Sequence, residues 1–168
     1  MSQNDYKIQI AAVTAISCAG QGMADVIKQD DVKTYTQVIV KLLKAEHPRV
    51  RFESLNAISI LSKCLEGKIA KYHKLVIPSL VQMMGEPVAK VKIHISTALV
   101  NYMSQLSYED VYEHFDILTD MIRASINAES LVAQSNALTI LSQMCTMADM
   151  EDVEPLLTEF MPQILQQF

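Results

Sequence analysis

Apolar residues return every three or four positions along nearly the whole chain, the spacing of helices with one apolar face. Between Asp31 and Ala45, Tyr35, Val38, Ile39, Leu42 and Leu43 fall at i, i+3, i+4, i+7 and i+8. Leu55, Ile58, Leu61 and Leu65 make a similar stripe, as do Val111, Phe115, Leu118, Ile122 and Ile126. The pattern predicts helices over about 6–22, 31–45, 49–66, 69–85, 88–106, 108–127, 129–147 and 151–167. Turn chemistry falls between them. Gly20-Gln21-Gly22 and Gly67 suit helix ends, and Gly85-Glu86-Pro87 makes a turn. Pro48 suits a first helical turn, where its missing N–H costs nothing. Asp31, Ser107 and Asp149 or Asp152 are placed to cap helix starts. Pro78 and Pro162 lie inside predicted helices, which they are expected to bend. Long Val/Ile/Thr alternations, the sign of strands, are few.

Every second helix shares a short pattern. Val13-Thr14-Ala15-Ile16-Ser17, Leu55-Asn56-Ala57-Ile58-Ser59, Ser96-Thr97-Ala98-Leu99-Val100 and Ser135-Asn136-Ala137-Leu138-Thr139 overlay on their central alanine. Ala15, Ala57, Ala98 and Ala137 are 42, 41 and 39 residues apart. A period near 40 with two helices per unit is the mark of HEAT or armadillo repeats. The predicted fold is therefore all-α: an α-α superhelix, or HEAT-repeat solenoid, of about four helix pairs and eight helices. The expectation is one solenoid segment over 1–168, with inner helices at about 6–22, 49–66, 88–106 and 129–147. The outer helices fall at about 31–45, 69–85, 108–127 and 151–167. Neither end shows the polar face of a capping repeat, so a fragment of a longer array is expected, able to associate end to end.

Composition narrows the partners. Half of the residues are apolar, enough for a core, and the net charge is −5 with 19 acidic residues against 14 Lys and Arg. A nucleic-acid binder needs a cationic surface, so that class is set aside, whereas a basic protein partner is permitted. No apolar run reaches the roughly 18 residues that span a bilayer, so no membrane role is expected. Cys18, Cys64 and Cys145 lie far apart without a C-x-x-C pair, and they read as reduced, buried thiols of a cytosolic or nuclear protein.

Catalytic and metal motifs are missing. Gly20-x-Gly22 has no preceding strand, so it is not a phosphate loop. His47, His73, His94 and His114 make no H-x-x-x-H pair and none lies near a cysteine in sequence, so no metal site is expected. No nucleophile elbow or Ser/His/Asp set is visible; neither a cofactor nor an enzymatic activity is expected. The methionines sit beside Leu and Ile at helical spacing and read as core. Asp149, Glu151, Asp152 and Glu154 suit the positive end of a helix dipole. The inner helices carry a ladder of small polar residues. The position before the shared alanine reads Thr14, Asn56, Thr97 and Asn136, and three residues earlier come Ala11, Glu53, His94 and Ala133. Three residues after the alanine stand Cys18, Ile60, Asn101 and Ile140, and three further Gln21, Lys63, Ser104 and Gln143. On the concave side of a solenoid such a ladder suits an extended peptide, whose backbone Asn and Thr can pair. The other reading is that these side chains bond between neighbouring helices.

The stretch His47-Pro48-Arg49-Val50-Arg51 followed by Asn56-Ala57 resembles the karyopherin-beta (importin-beta) family, in particular its importin beta-3 type. Val91-Lys92-Ile93-His94 with Ala98-Leu99-Val100-Asn101-Tyr102, Lys74 to Leu80, and Phe160-Met161-Pro162-Gln163-Ile164-Leu165 are similar to it too. The resemblance covers nearly the whole chain. It implies a central piece of a much longer HEAT solenoid that shuttles between cytoplasm and nucleus. Such receptors carry cargo bearing basic, lysine-rich nuclear localisation signals, and release it when the GTPase Ran binds in its GTP form. Ran and nucleoporins would act through the full-length parent. The cargo-contact positions implied are Glu53, Asn56, His94, Thr97, Asn101, Asn136 and Gln143, with Glu53 meeting a cargo lysine. Release would come from a change in superhelical pitch. The alternative is a HEAT-repeat scaffold or adaptor for another complex, such as a phosphatase regulatory subunit, which holds its partner on the turns. A HEAT-like DNA glycosylase would need a cationic, aromatic groove, for which an acidic chain without Trp is a poor match.

Overall fold

A computed structural model describes residues 5–166. Among these the chain is an all-α superhelix of eight rods paired into successive repeats, and position 167 of the expected last helix lies outside the described residues. The inner rods are α1 (Asp5–Gly22), α3 (Pro48–Leu65), the pair α6 (Ala89–Lys92) and α7 (Ile95–Met103), and α10 (Leu131–Met147). The outer rods are α2 (Gln29–Leu42), the pair α4 (Gly67–Ala70) and α5 (His73–Gln82), the pair α8 (Tyr108–Tyr112) and α9 (Phe115–Ile126), and α11 (Met150–Leu165).

Local chemistry sets most rod ends. His47 caps α3 through Nδ1, which accepts from Arg49 N at 3.2 Å, with Pro48 in the first turn. Ser107 Oγ accepts from Asp110 N at 3.2 Å, and Ser130 Oγ from Ala133 N at 3.4 Å. Asp31 stands inside α2 rather than ahead of it: the cap is Lys28, whose N–H donates to Asp31 Oδ2 at 3.2 Å. The end of α3 also differs from expectation. Gly67 begins α4, and Glu66 takes the positive φ of 40° that turns the chain.

Three rods are split where an amide bonds three residues back instead of four. Tyr72 N donates to Ile69 O at 3.1 Å, His94 N to Val91 O at 3.0 Å, and His114 N to Val111 O at 2.9 Å. Pro78 lies inside α5, but the break at Tyr72 recurs at His114, where α9 carries no proline. The tightening therefore belongs to the repeat rather than to Pro78 alone.

One continuous core runs through the stack, with Leu55, Ile58, Leu61, Leu80, Leu99, Tyr102, Ile122, Met144 and Phe160 almost fully buried. Its phase corrects the repeat register. Ala57 and Ala98 are buried, but Ala15 is exposed. In α1 the inward residues are Val13, Ser17 and Gly20, and in α10 they are Ala133, Asn136, Ala137, Ile140 and Leu141. The equivalent positions are Ile16, Ala57, Ala98 and Asn136, 41, 41 and 38 residues apart. Alanine is small enough for any face of a helix, so it is a weak anchor for phase; burial is decisive. The corrected phase leaves Cys18 exposed, against the expectation of a buried thiol, while Cys64 and Cys145 are half-buried. Gly20 has a packing reason: a Cβ there would stand 2.3 Å from Leu61 Cδ2, so α1 lies directly on α3.

Candidate functional site

The inner rods α3 and α7 leave a groove of about 270 Å³ between them. Phe52, Leu55, Asn56, Ser59, Ile60, Lys63, His94, Thr97 and Asn101 line it. Helical spacing brings these residues to one side. Phe52, Asn56, Ser59 and Lys63 follow one another up α3, and His94, Thr97 and Asn101 do the same at the start of α7 and along it. Asn56 and Thr97 are exposed and Asn101 is half-buried. Their side chains make no hydrogen bond among the described residues, so two amides and a hydroxyl face the groove with their donors and acceptors uncommitted.

Charge beside the groove is arranged less simply than the sequence suggests, since Lys63 lines the groove and Glu53 does not. Glu53 bonds its own helical neighbour, Arg49 Nε, at 2.8 Å, and is the more covered partner. Arg49 also lies over the Phe52 ring, 5.3 Å from its centroid. Phe52 in turn meets His94 edge to face at 4.8 Å. This ring pair separates the groove from a second one of about 420 Å³, at the turns ahead of α3 and α6. Pro48, Val88 and Ile93 make that groove apolar, and Arg49 and Lys90 rim it.

Two expected site residues stand elsewhere. Asn136 is buried: its Nδ2 donates to Lys92 O at 2.9 Å and its Oδ1 accepts from Ser96 Oγ at 2.8 Å. It occupies the core position that Ala98 fills one repeat earlier, and it bonds between helices, the other reading of the ladder. Gln143 is half-buried on α10 and away from the α3–α7 groove. The ladder continues through Ser135 and Thr139, which line the α7–α10 groove with Thr97 and Asn136.

Polar clasps between repeats went unseen in the sequence. Arg51 donates to both oxygens of Glu86, at 2.7 and 2.6 Å, and to the carbonyls of Ala45 and Glu46 at 2.8 Å. Glu86 also accepts from Val88 N at 3.0 Å, so one buried ion pair ties two successive turns. Burial pushes the Glu86 carboxyl up, but the Arg51 and Val88 hydrogen bonds outweigh that and hold it below the ordinary range. Gln29, Lys68 and Tyr72 form a second clasp, in which Lys68 Nζ donates to the carbonyls of Ala24 and Ile27. On the outer side, His73 and His114 face each other at 2.9 Å. Their signal was the repeat spacing of 41, not any short motif. No described helix is long and apolar enough to cross a membrane.

No family model matches the chain. Importin subunit beta-3 of Saccharomyces cerevisiae is 26% identical over 145 residues, 84% of this chain. The chain spans only 13% of that protein. The karyopherin Kap121p bound to the SUMO protease Ulp1p superposes with a TM-score of 0.84 at 24% identity, over 98% of this chain and 16% of that one. Kap121p bound to Nup53p gives 0.84 at 23% identity over the same shares. The repeat spacing, the paired-helix superhelix and these comparisons agree: the chain is a HEAT-repeat superhelix, similar in sequence to importin subunit beta-3 and in fold to the karyopherin Kap121p.

Proposed function

We propose that the chain is part of a nuclear transport receptor and that its α3–α7 groove holds an extended segment of a cargo protein. One observation carries the reading: Asn56, Thr97 and Asn101 stand together in the groove with uncommitted polar groups. A side-chain amide offers the donor and acceptor that a peptide unit needs. The similarity to importin subunit beta-3 supports the transport role, and the Kap121p complexes support protein cargo as the ligand. A basic signal is favoured by Glu53, once drawn off Arg49, and by the field of the later repeats. From residue 93 onward the chain has eleven Asp and Glu and a single Arg. His94 contributes its ring edge beside Phe52. On this reading the receptor moves between cytoplasm and nucleus, binds rather than catalyses, and meets Ran GTPase and nucleoporins through a longer protein.

The test is fluorescence anisotropy with a labelled lysine-rich import-signal peptide and a copy whose lysines are glutamine. Saturable binding of the first, weakened by salt, is expected. Asn56→Ala with Asn101→Ala lowers the affinity about 10- to 30-fold, at about 1 kcal/mol per lost hydrogen bond. Equal binding by the double variant, or none at low salt, overturns the groove assignment. A second reading, a scaffold that holds its partner on the turns, is favoured by the apolar groove beside Pro48, Val88 and Ile93. A partner held there ignores the Asn variants and is lost in Ile93→Asp.

A further inference from the structure

The junction of the second and third outer rods joins two buried histidines one repeat apart. His73 Nδ1 and His114 Nε2 are 2.9 Å apart, and each residue is at most 8% exposed. Glu113 brings a carboxylate oxygen within 4.8 Å of a ring nitrogen of each histidine. On the far side of the first ring, His73 Nε2 stands 3.5 Å from Asp110 Oδ1. The three-residue hydrogen bonds at Tyr72 and His114 break both outer rods beside these histidines, His73 opening α5 and His114 capping α9.

We propose that His73, His114 and Glu113 form a binding site for a zinc-class divalent cation that links two successive repeats. Two imidazoles and a carboxylate are a borderline donor set that suits zinc or cobalt. Ring nitrogens on a tetrahedral zinc stand roughly 3.3 Å apart, at about 2.0–2.1 Å from the metal. Opening the observed pair by a few tenths of an ångström therefore seats the ion in place of the shared proton. Asp110 supplies the outer partner such a ligand needs: it takes the Nε2 proton of His73 and leaves Nδ1 free to ligate. Water completes the fourth position. Glu113 must first leave Lys74, whose ammonium it holds at 2.9 Å, so Lys74 competes with the metal. Ligand pairs in short motifs announce themselves in sequence, but these residues meet only because the solenoid repeats.

Cobalt(II) is the probe, titrated into the metal-free 168-residue chain and followed by visible absorption, with zinc as competitor. One equivalent with intense tetrahedral bands, displaced by zinc, is expected. His73→Gln and His114→Gln abolish the bands. Should either unfold by circular dichroism, three surface-side variants still decide. Asp110→Asn keeps both rings and weakens binding about 10- to 100-fold. Glu113→Gln also weakens it, and Lys74→Gln tightens it, an effect that a purely packing role for the histidines does not produce. Absence of tetrahedral bands at saturating cobalt overturns the site, as does unchanged affinity in both Asp110→Asn and Glu113→Gln.

Discussion

At the scale of single residues, a strained backbone at Glu66 and a buried ion pair at Arg51–Glu86 mark two of the turns. Glu66 has φ 40° and ψ −129°, the one positive φ among described non-glycine residues. A Cβ makes that region costly, by roughly 1–2 kcal/mol, and glycine removes the cost. Glu66→Gly is therefore expected to raise stability by about 1 kcal/mol in urea unfolding, and a loss would show that the Glu66 side chain matters more than its backbone. The Arg51–Glu86 pair has the opposite character. Both members are mostly covered, so removing one leaves a buried charge, and Glu86→Gln is expected to cost about 3 kcal/mol. The pH dependence follows from the lowered carboxyl. An unfolded Glu86 binds its proton near 4.5, above the folded value, so the stability from the pair is complete above that pH. It drains away as the pH falls through the folded value. Acid unfolding of Glu86→Gln is expected to be flatter than wild type below pH about 4.5. Parallel profiles would place the acid sensitivity in other carboxylates.

At the scale of helices, the sequence was legible where periodicity is strong and illegible where the phase is fine. Eight amphipathic rods and a period near 40 were readable because apolar stripes must face the core. The anchoring alanines were off by one residue in the first and last inner rods, since Ala15 faces out and Asn136 faces in. A buried asparagine reads as a surface residue by type, and only its partners, Ser96 and the Lys92 carbonyl, make it a core residue. Of the expected residues, Asn56, His94, Thr97 and Asn101 line one groove between α3 and α7, whereas Glu53 does not line it and bonds Arg49 instead. The clasps at Glu86 and at His73–His114 were out of reach, being contacts some 35 and 41 residues apart in sequence. The Asn136 clasp carries its own prediction. Asn136→Ala removes two hydrogen bonds and leaves the Ser96 hydroxyl buried, which costs about 2 kcal/mol. Asn136→Ala with Ser96→Ala is expected to recover part of that loss, and strict additivity of the two would mean that Ser96 and Asn136 do not share a bond.

At the scale of the whole chain, charge runs unevenly along the solenoid. Up to Lys92 there are thirteen Lys and Arg against eight Asp and Glu, a net of +5. From Ile93 onward one Arg faces eleven Asp and Glu, a net of −10. Even that Arg123 is committed, to Glu159 at 2.6 Å across α9 and α11. Both ends also expose apolar side chains: Ile8 is 67% exposed on α1, and Leu165 is 64% exposed on α11. An acidic end meeting a more basic stretch of a second copy, with apolar faces in contact, is a head-to-tail arrangement, which is not limited to a dimer. We therefore expect this chain to associate end to end in sedimentation, with a distribution that broadens with concentration instead of stopping at a dimer. Two changes separate the forces. Salt at 1 M shrinks the screening length from about 8 to about 3 Å and weakens an association led by charge. Ile8→Asp leaves that field nearly intact but buries a charge in the apolar contact. Loss of association in Ile8→Asp with little effect of salt assigns the contact to the end faces. Loss in salt alone assigns it to the charge gradient, and a single monomer peak at every concentration refutes both.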